Sequence, residues 1–509
     1  MEVVTTLIVE FFVDNNKPST AAIYHRHNQS TTEPTVVSTT RHLLVLFVRS
    51  YMDDRMSRSE RHTLNRRGLL VATGLATAVG LAGCTESTPD NNTTHEPADT
   101  SPPTPVDESL PEGSPSSTNE QVAELVAGNA AFALDLHHQL AAAEDSDNVF
   151  VSPYSISVAL AMTYAGAGGD TETAMRETLG FSLGEATHPA FAGLQAQLDD
   201  RATTDALGDP NEETVDAFQL EVANALWGDA DYPFADEYLD LVDEHYGGGF
   251  NSADFANDHA AERDSINNWV AERTEDRIEA LIPDGELSPS TVLVLTNAIY
   301  FMASWEQEFD PDDTTEASFS ALDGTESTVP MMEQNLRTNY ADLPNAQAIE
   351  LPYVGGDVSM VLLVPDEGAF ETVQTQLSGS TLFGVFEAIG DASGNLRMPT
   401  FEYEFDVELG EALNALGMEA AFGAGADFSN MVETGEGPGI SDVFHKAFVS
   451  VDEEGTEAAA ATAVEMIESQ PAESFDLTIN RPFFVCIRDR PTDAVLFFGQ
   501  VTDAAAAQT

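Results

Sequence analysis

Cysteine and lysine are almost missing from this 509-residue chain. Two cysteines, Cys84 and Cys486, exclude a disulfide framework and a cysteine-rich metal site. Lys17 and Lys446 are the only lysines, and all basic side chains together number 20 against 87 acidic ones, a net charge of −67. A chain so poor in cations has no basic patch to meet phosphates, so nucleic acid is excluded as a partner. No Walker loop, G-x-G-x-x-G or H-E-x-x-H occurs, which removes the phosphate-cradling and zinc-protease motifs. No cofactor and no metal is expected.

What is there is an apolar fraction of 42%, well above that of a disordered acidic chain, so most of the sequence should bury a core. The charge is uneven. Residues 1–84 hold nine basic and seven acidic side chains, and the rest holds 80 acids against 11 bases. Self-repulsion of that size opposes a compact state in dilute buffer. At about 1 M salt the Debye length falls to about 3 Å and the repulsion is screened. The near-absence of lysine favours adaptation to molar salt over a merely acidic soluble protein.

Arg66-Arg67, a short Ala/Gly/Leu-rich apolar run and Leu81-Ala82-Gly83-Cys84 together read as an export signal over residues 52–84. The paired arginines resemble a twin-arginine signal, and the last four residues resemble a lipobox that would leave a lipid on Cys84. Gly68–Gly83 is too short and too weakly apolar for a good membrane span. Residues 1–51 lack the acidic bias and read as a doubtful upstream extension, with Met52 or Met56 the expected start. Residues 85–118, rich in Thr, Ser, Pro and acids, read as a disordered tether, with a weak glycan acceptor at Asn92-Thr93-Thr94. The globular part is expected over 119–505.

Within it, helical spacing covers Gln121–Ala143. Ser152-Pro153 reads as an N-cap followed by proline, opening a helix over Tyr154–Ala165. Asp170 is expected to cap Thr171–Leu179, with Gly180 ending it. Further helices are expected at Phe234–Tyr246 and Asp264–Ile282. Strands are expected at Thr291–Met302, Ala348–Pro352, Val358–Val364 and around Phe401, Tyr403 and Phe405. Helices in the first half and strands in the second, without βαβ alternation, point to an α+β fold. Gly180-Phe181-Ser182-Leu183-Gly184 matches G-x-S-x-G, but a helix and not a strand precedes it, so a hydrolase is disfavoured. His137-His138 lacks the i, i+4 spacing of a metal pair and reads as surface or boundary.

Residues 451–467 carry the functional signal. By propensity they form an alanine-rich helix. As a strand, Thr456–Ile467 places Thr456, Ala458, Ala460, Thr462, Val464 and Met466 on one face. Glu457, Ala459, Ala461, Ala463, Glu465 and Ile467 fall on the other. Both charges share one face, so the segment could slide into a packed sheet with its glutamates outside, and Gly455 supplies a hinge.

From about Asn119 to Asp503 the chain resembles the serpin family. The resemblance rests on Val451–Ala463 as the reactive-centre-loop hinge and on Asn148-Val-Phe-Val-Ser-Pro-Tyr-Ser-Ile156. Leu295-Thr-Asn-Ala-Ile-Tyr-Phe301 with Trp305, Phe444-His-Lys-Ala-Phe448, Asn480-Arg-Pro-Phe-Phe484 and Leu496-Phe-Phe-Gly499 complete it. Met302-Ala303-Ser304 departs from the family's common lysine or glycine before the tryptophan. The resemblance implies a serpin fold of three β-sheets, about eight or nine helices and an exposed reactive-centre loop. It implies a serine protease inhibitor that is a suicide substrate and not an enzyme. The alternative is a non-inhibitory serpin-like binding or storage protein, in which a charged or bulky residue tends to follow the hinge glycine; Thr456 is neither.

By the same match, the hinge and inserting segment comprise Glu453, Gly455, Thr456, Glu457, Ala458, Ala459, Ala460 and Ala461. Ser152, Ser155, Asn297 and His445 form a polar cluster under the sheet opening, with Trp305 at the point of entry. Family spacing puts the scissile bond at Ser469–Gln470, within a window of Glu468 to Pro471. Small, polar Ser469 suits the shallow pocket of an elastase- or subtilisin-like protease and not a trypsin-like one. A register slip would present Met466 or Ile467 to a chymotrypsin-like pocket instead. The expected protein is a monomeric, extracellular lipoprotein anchored to the membrane through Cys84, with a secreted serine protease as partner.

Overall fold

The computed structural model describes residues 2–12, 109–117, 119–142, 148–202, 218–247, 249–278, 280–435, 437–453 and 473–508. The chain runs β1 (Glu2–Phe12), α1 (Glu120–Ala141), β2 (Val149–Val151), α2 (Pro153–Tyr164), α3 (Gly169–Thr178) and α4 (Thr187–Ala202). It continues with β3 (Phe218–Asp229), α5 (Asp236–Tyr246), β4 (Gly249–Ala253), α6 (Phe255–Arg273), β5 (Thr291–Ala303), β6 (Thr315–Ser320), β7 (Glu326–Leu343) and β8 (Ala346–Pro352). Then come β9 (Val358–Pro365), α7 (Phe370–Gln376), α8 (Gly379–Ala388), β10 (Gly390–Pro399), β11 (Phe401–Glu408) and α9 (Gly410–Leu413). The last strands are β12 (Gly439–Val451), β13 (Glu473–Thr478), β14 (Phe483–Asp489) and β15 (Ala494–Val501).

The strands make an α+β fold of three sheets. The central sheet has the order β11-β12-β1-β5-β3-β4. The other two are joined through the 18-residue β7, which pairs with β6 over Glu326–Met331, with β10 over Met331–Tyr340 and with β8 over Asn339–Leu343. From β8 the order runs on through β9, β14 and β15 to β2.

The central sheet is covered on both faces, which is why β5 reads as a near-continuous apolar run and not an alternating one. Leu293, Leu295, Ile299 and Phe301 join the main core, against which α2 packs. Val294 and Tyr300 join a second core with Phe255, Ile266 and Val270 of α6. In β12, Val443, Ala447 and Val449 face the first core and Phe448 the second. Odd-numbered residues of both strands therefore look toward α2.

All twelve residues of α2 are buried, and Ser152 caps it: its Oγ accepts from the Ser155 backbone N–H at 3.1 Å, with Pro153 at the first helical position. Asp170 is not a cap. It lies inside the first turn of α3, whose N-cap is Gly168. Helix α6 starts nine residues before the expected Asp264, because the Asp254 side chain accepts from the Asn257 N–H at 3.1 Å. Gly180, at φ +68°, ends α3 and lies against Gly128 of α1; a Cβ on Gly128 would sit 2.3 Å from the Gly180 carbonyl oxygen. The G-x-S-x-G match is thus a helix end packed on another helix, and Ser182 donates to Glu124 at 2.6 Å.

Two expectations change here. The tether ends sooner than residue 118: Leu110 is buried, Gly113 N–H donates to the Ser380 carbonyl at 2.8 Å, and Ser116 Oγ donates to Asp493 at 2.6 Å. One apolar side chain and a few hydrogen bonds hold 109–117 against α8 and the β14–β15 turn. His137 is not at the surface. It is fully buried, edge-on to Phe498 and Phe484, and burial pushes its imidazole down to about 3.

Candidate functional site at the opening of the central sheet

Strands β5 and β12 do not pair with each other. Both run antiparallel to β1, so they are parallel to one another and separated by the width of one strand. The polar residues singled out from the sequence lie along this separation, on the face toward α2.

Ser155 Oγ donates to Asn297 Oδ1. Asn297 Nδ2 donates in turn to Asn224 Oδ1 at 2.5 Å. The Ser152 backbone N–H donates to His445 Nε2 at 3.4 Å, and Ser152 Oγ donates to the Leu496 carbonyl at 2.7 Å. All four of Ser152, Ser155, Asn297 and His445 are fully buried. Burial pushes the His445 imidazole down to about 3. It is therefore neutral, and acceptance at Nε2 leaves its proton on Nδ1. The helix cap at Ser152 thus serves both α2 and β12, and Ser155 ties α2 to β5. Leu7 of β1 is the register partner of both Asn297 and His445.

At the far end of the separation, Trp305 stacks on Tyr353 with ring centroids 4.8 Å apart, and its Nε1–H donates to the Asp452 carbonyl at 3.0 Å. Glu453 is held by two contacts: its carbonyl accepts from the Phe309 N–H at 3.1 Å, and its carboxylate accepts from Thr314 Oγ1. The last described residues before the expected loop are therefore pinned to the segment following β5. Gly455, Thr456, Glu457 and Ala458 to Ala461 lie outside the described residues, as do Glu468, Ser469, Gln470, Pro471 and Cys84.

Sequence reasoning missed Asn224, Phe309, Thr314 and Tyr353. Asn224 is the register partner of Asn297 across β3 and β5, a pairing of residues 73 apart that no local pattern encodes. Thr314 meets Glu453 across 139 residues.

Comparisons with known proteins agree with this geometry. The family model described as serpin (serine protease inhibitor) matches residues 127–504. A serpin-like protein of Thermococcus kodakarensis is 38% identical, covering 73% of this chain and 83% of its own. Human serpin B4 is 36% identical over 73% of this chain and 97% of its own. The solved structure of human thyroxine-binding globulin complexed with thyroxine superposes with a TM-score of 0.63 at 30% identity, covering 75% of this chain and 99% of that one. With the three sheets and the buried polar cluster in place, the chain belongs to the serpin family and is not an enzyme.

Proposed function

We propose that the protein is a suicide inhibitor of serine proteases. The observation that carries this reading is that the central sheet accommodates a whole extra strand, antiparallel to both neighbours, between β5 and β12. A segment running on from β12 through Glu453 and turning back enters that position in the same antiparallel sense. Residues 456–467 have the alternation such a strand needs, with small uncharged side chains on one face.

In this reading the protease serine attacks the carbonyl of Ser469, the Ser469–Gln470 bond breaks, and an acyl-enzyme forms. The new free end inserts between β5 and β12 and carries the enzyme with it before water reaches the ester. Ser152, Ser155, Asn297 and His445 set how readily the sheet parts, and Trp305 marks the entry. The chemistry of Ser469 favours an elastase- or subtilisin-like target. Export by the signal at residues 52–84, anchoring through Cys84 and work in molar salt belong to the same reading, as does a place outside the cell.

The likeness to solved structures leans toward the second reading, a non-inhibitory binding or storage protein, since thyroxine-binding globulin is seen in complex with thyroxine. Mixing the chain that begins at Cys84 with subtilisin, elastase and chymotrypsin in molar salt separates the two. An SDS-stable complex supports inhibition. Clean cleavage near Ser469 without any complex supports the second reading, and mass spectrometry of the released fragment reports the bond.

A further inference from the structure

The strand between β5 and β12 does not come from the loop. It comes from the other end of the chain, ahead of the start expected at Met52 or Met56, so it belongs to the chain translated from Met1: Glu2–Phe12, reading Glu-Val-Val-Thr-Thr-Leu-Ile-Val-Glu-Phe-Phe. Its register is continuous with β5 from Glu2↔Met302 to Phe11↔Leu293, and with β12 from Glu2↔Ser450 to Val9↔Val443. Six of its eleven residues are β-branched (Val3, Val4, Thr5, Thr6, Ile8, Val9), the type favoured on a pleated, half-buried surface. The candidate insert Thr456–Ile467 is dominated by alanine, which strands disfavour. Each inward-facing N–H and C=O of β5 and β12 can complete one ladder, so the position holds one occupant at a time.

We propose that residues 2–12 are a built-in occupant of the loop-insertion position, so that the uncut chain is held with its central sheet already full. Removal of this segment empties the position and arms the molecule. Cleavage before Cys84, the processing expected from Leu81-Ala82-Gly83-Cys84, would separate these residues from the body. The arming step rests on the insertion reading above; the occupancy itself does not.

Two measurements on the full 509-residue chain in molar salt test it, both with Cys84→Ser. The first is a cross-link. Thr6 is the register partner of Lys446, and directly opposed residues have Cα atoms about 4.5–5.5 Å apart, within reach of a disulfide. Thr6→Cys/Lys446→Cys should close under mild oxidant and yield a linked peptide. Thr6→Cys/Glu404→Cys, reaching one strand further, should not. Failure of the first pair, or equal linking of both, overturns the proposal.

The second measurement is thermal. Cleavage of the loop by subtilisin should move the Tm of the full chain little. Val4→Pro/Ile8→Pro removes ladder donors from a strand flanked on both sides. Cleavage of that variant should raise its Tm by about 10 °C or more, as the freed loop enters. An equal rise in both chains overturns the proposal. A closed cross-link with no rise in either chain leaves the occupancy standing and sinks the insertion reading instead.

Discussion

Asn297 joins three elements of the fold through one side chain. Its side-chain oxygen accepts from Ser155 and its nitrogen donates to Asn224, so one amide joins α2, β5 and β3. Ser155→Ala removes the donor and leaves a buried carbonyl oxygen short of a partner, which costs about 1–3 kcal/mol. The expected result is a lower urea midpoint at unchanged m-value. His445 makes the same point through protons. Its imidazole sits at about 3 when folded and near 6.5 when free, so between those values the unfolded chain binds the extra proton. The stability it contributes is complete above pH 6.5 and is lost as the pH falls toward 3. His137, at about 3, and His188, at about 4, act in the same direction. Tm should therefore fall from pH 7 to pH 5, and His445→Gln should fall less steeply over that interval. An identical slope for the variant would show that the folded His445 imidazole takes up the proton as readily as the unfolded one. The sequence marked Ser152, Ser155, Asn297 and His445 by motif alone; Asn224 stayed hidden because its only signal is a register between strands.

At the scale of the element, local signals were legible where they were local. Ser152-Pro153 announces α2, and the apolar run from Thr291 announces β5 almost to the residue. The start of α6 was missed because Asp254 precedes Phe255 without a further apolar repeat until Ile266. Residues 2–12 were read only as part of a doubtful extension, and nothing in them names β5 and β12 as neighbours across some 290 and 440 positions. The contact of α1 with the end of α3 allows a test in which propensity and packing disagree. In a helix interior, glycine to alanine normally gains up to about 1 kcal/mol. At Gly128 the added methyl would meet the Gly180 carbonyl at 2.3 Å, so Gly128→Ala should destabilise instead, by about 1–3 kcal/mol. Thermal unfolding of this single variant decides between the two signs.

The molecule as a whole has few cations, and one of the best placed of them lies inside. Arg488 is nearly buried and holds Glu350 at 2.6 Å and Asp493 at 2.6 Å, while its guanidinium lies 4.1 Å above the Phe386 ring. Burial pushes the Glu350 carboxyl up, but Arg488 and hydrogen bonds from Asn339 and Ser359 outweigh it and hold it below its usual range. Arg201 reaches the buried Asp489 at 2.5 Å. With 20 basic against 87 acidic side chains, few positive charges offset the acids on the surface, and their repulsion must be met by the solvent. Tm should climb steadily from about 0.1 M to about 2 M KCl, because the Debye length contracts from about 10 Å to under 3 Å. A flat profile would show that the acidic surface is tolerated without added salt. This property was legible from composition alone, whereas the burial of Arg488 required the fold.

Trp305 would give the proposed strand insertion an optical signature. The chain has three tryptophans, and two of them, Trp227 and Trp269, lie edge to face 6.0 Å apart in the second core. Trp305 stands apart from them, its ring flat on Tyr353 and its N–H on the Asp452 carbonyl. Any strand that enters or leaves beside Asp452 changes the hydrogen bond and the polarity felt by this one indole. With Trp227 and Trp269 replaced by phenylalanine, the emission maximum of the remaining indole reads the state of the opening directly, in real time and without a label.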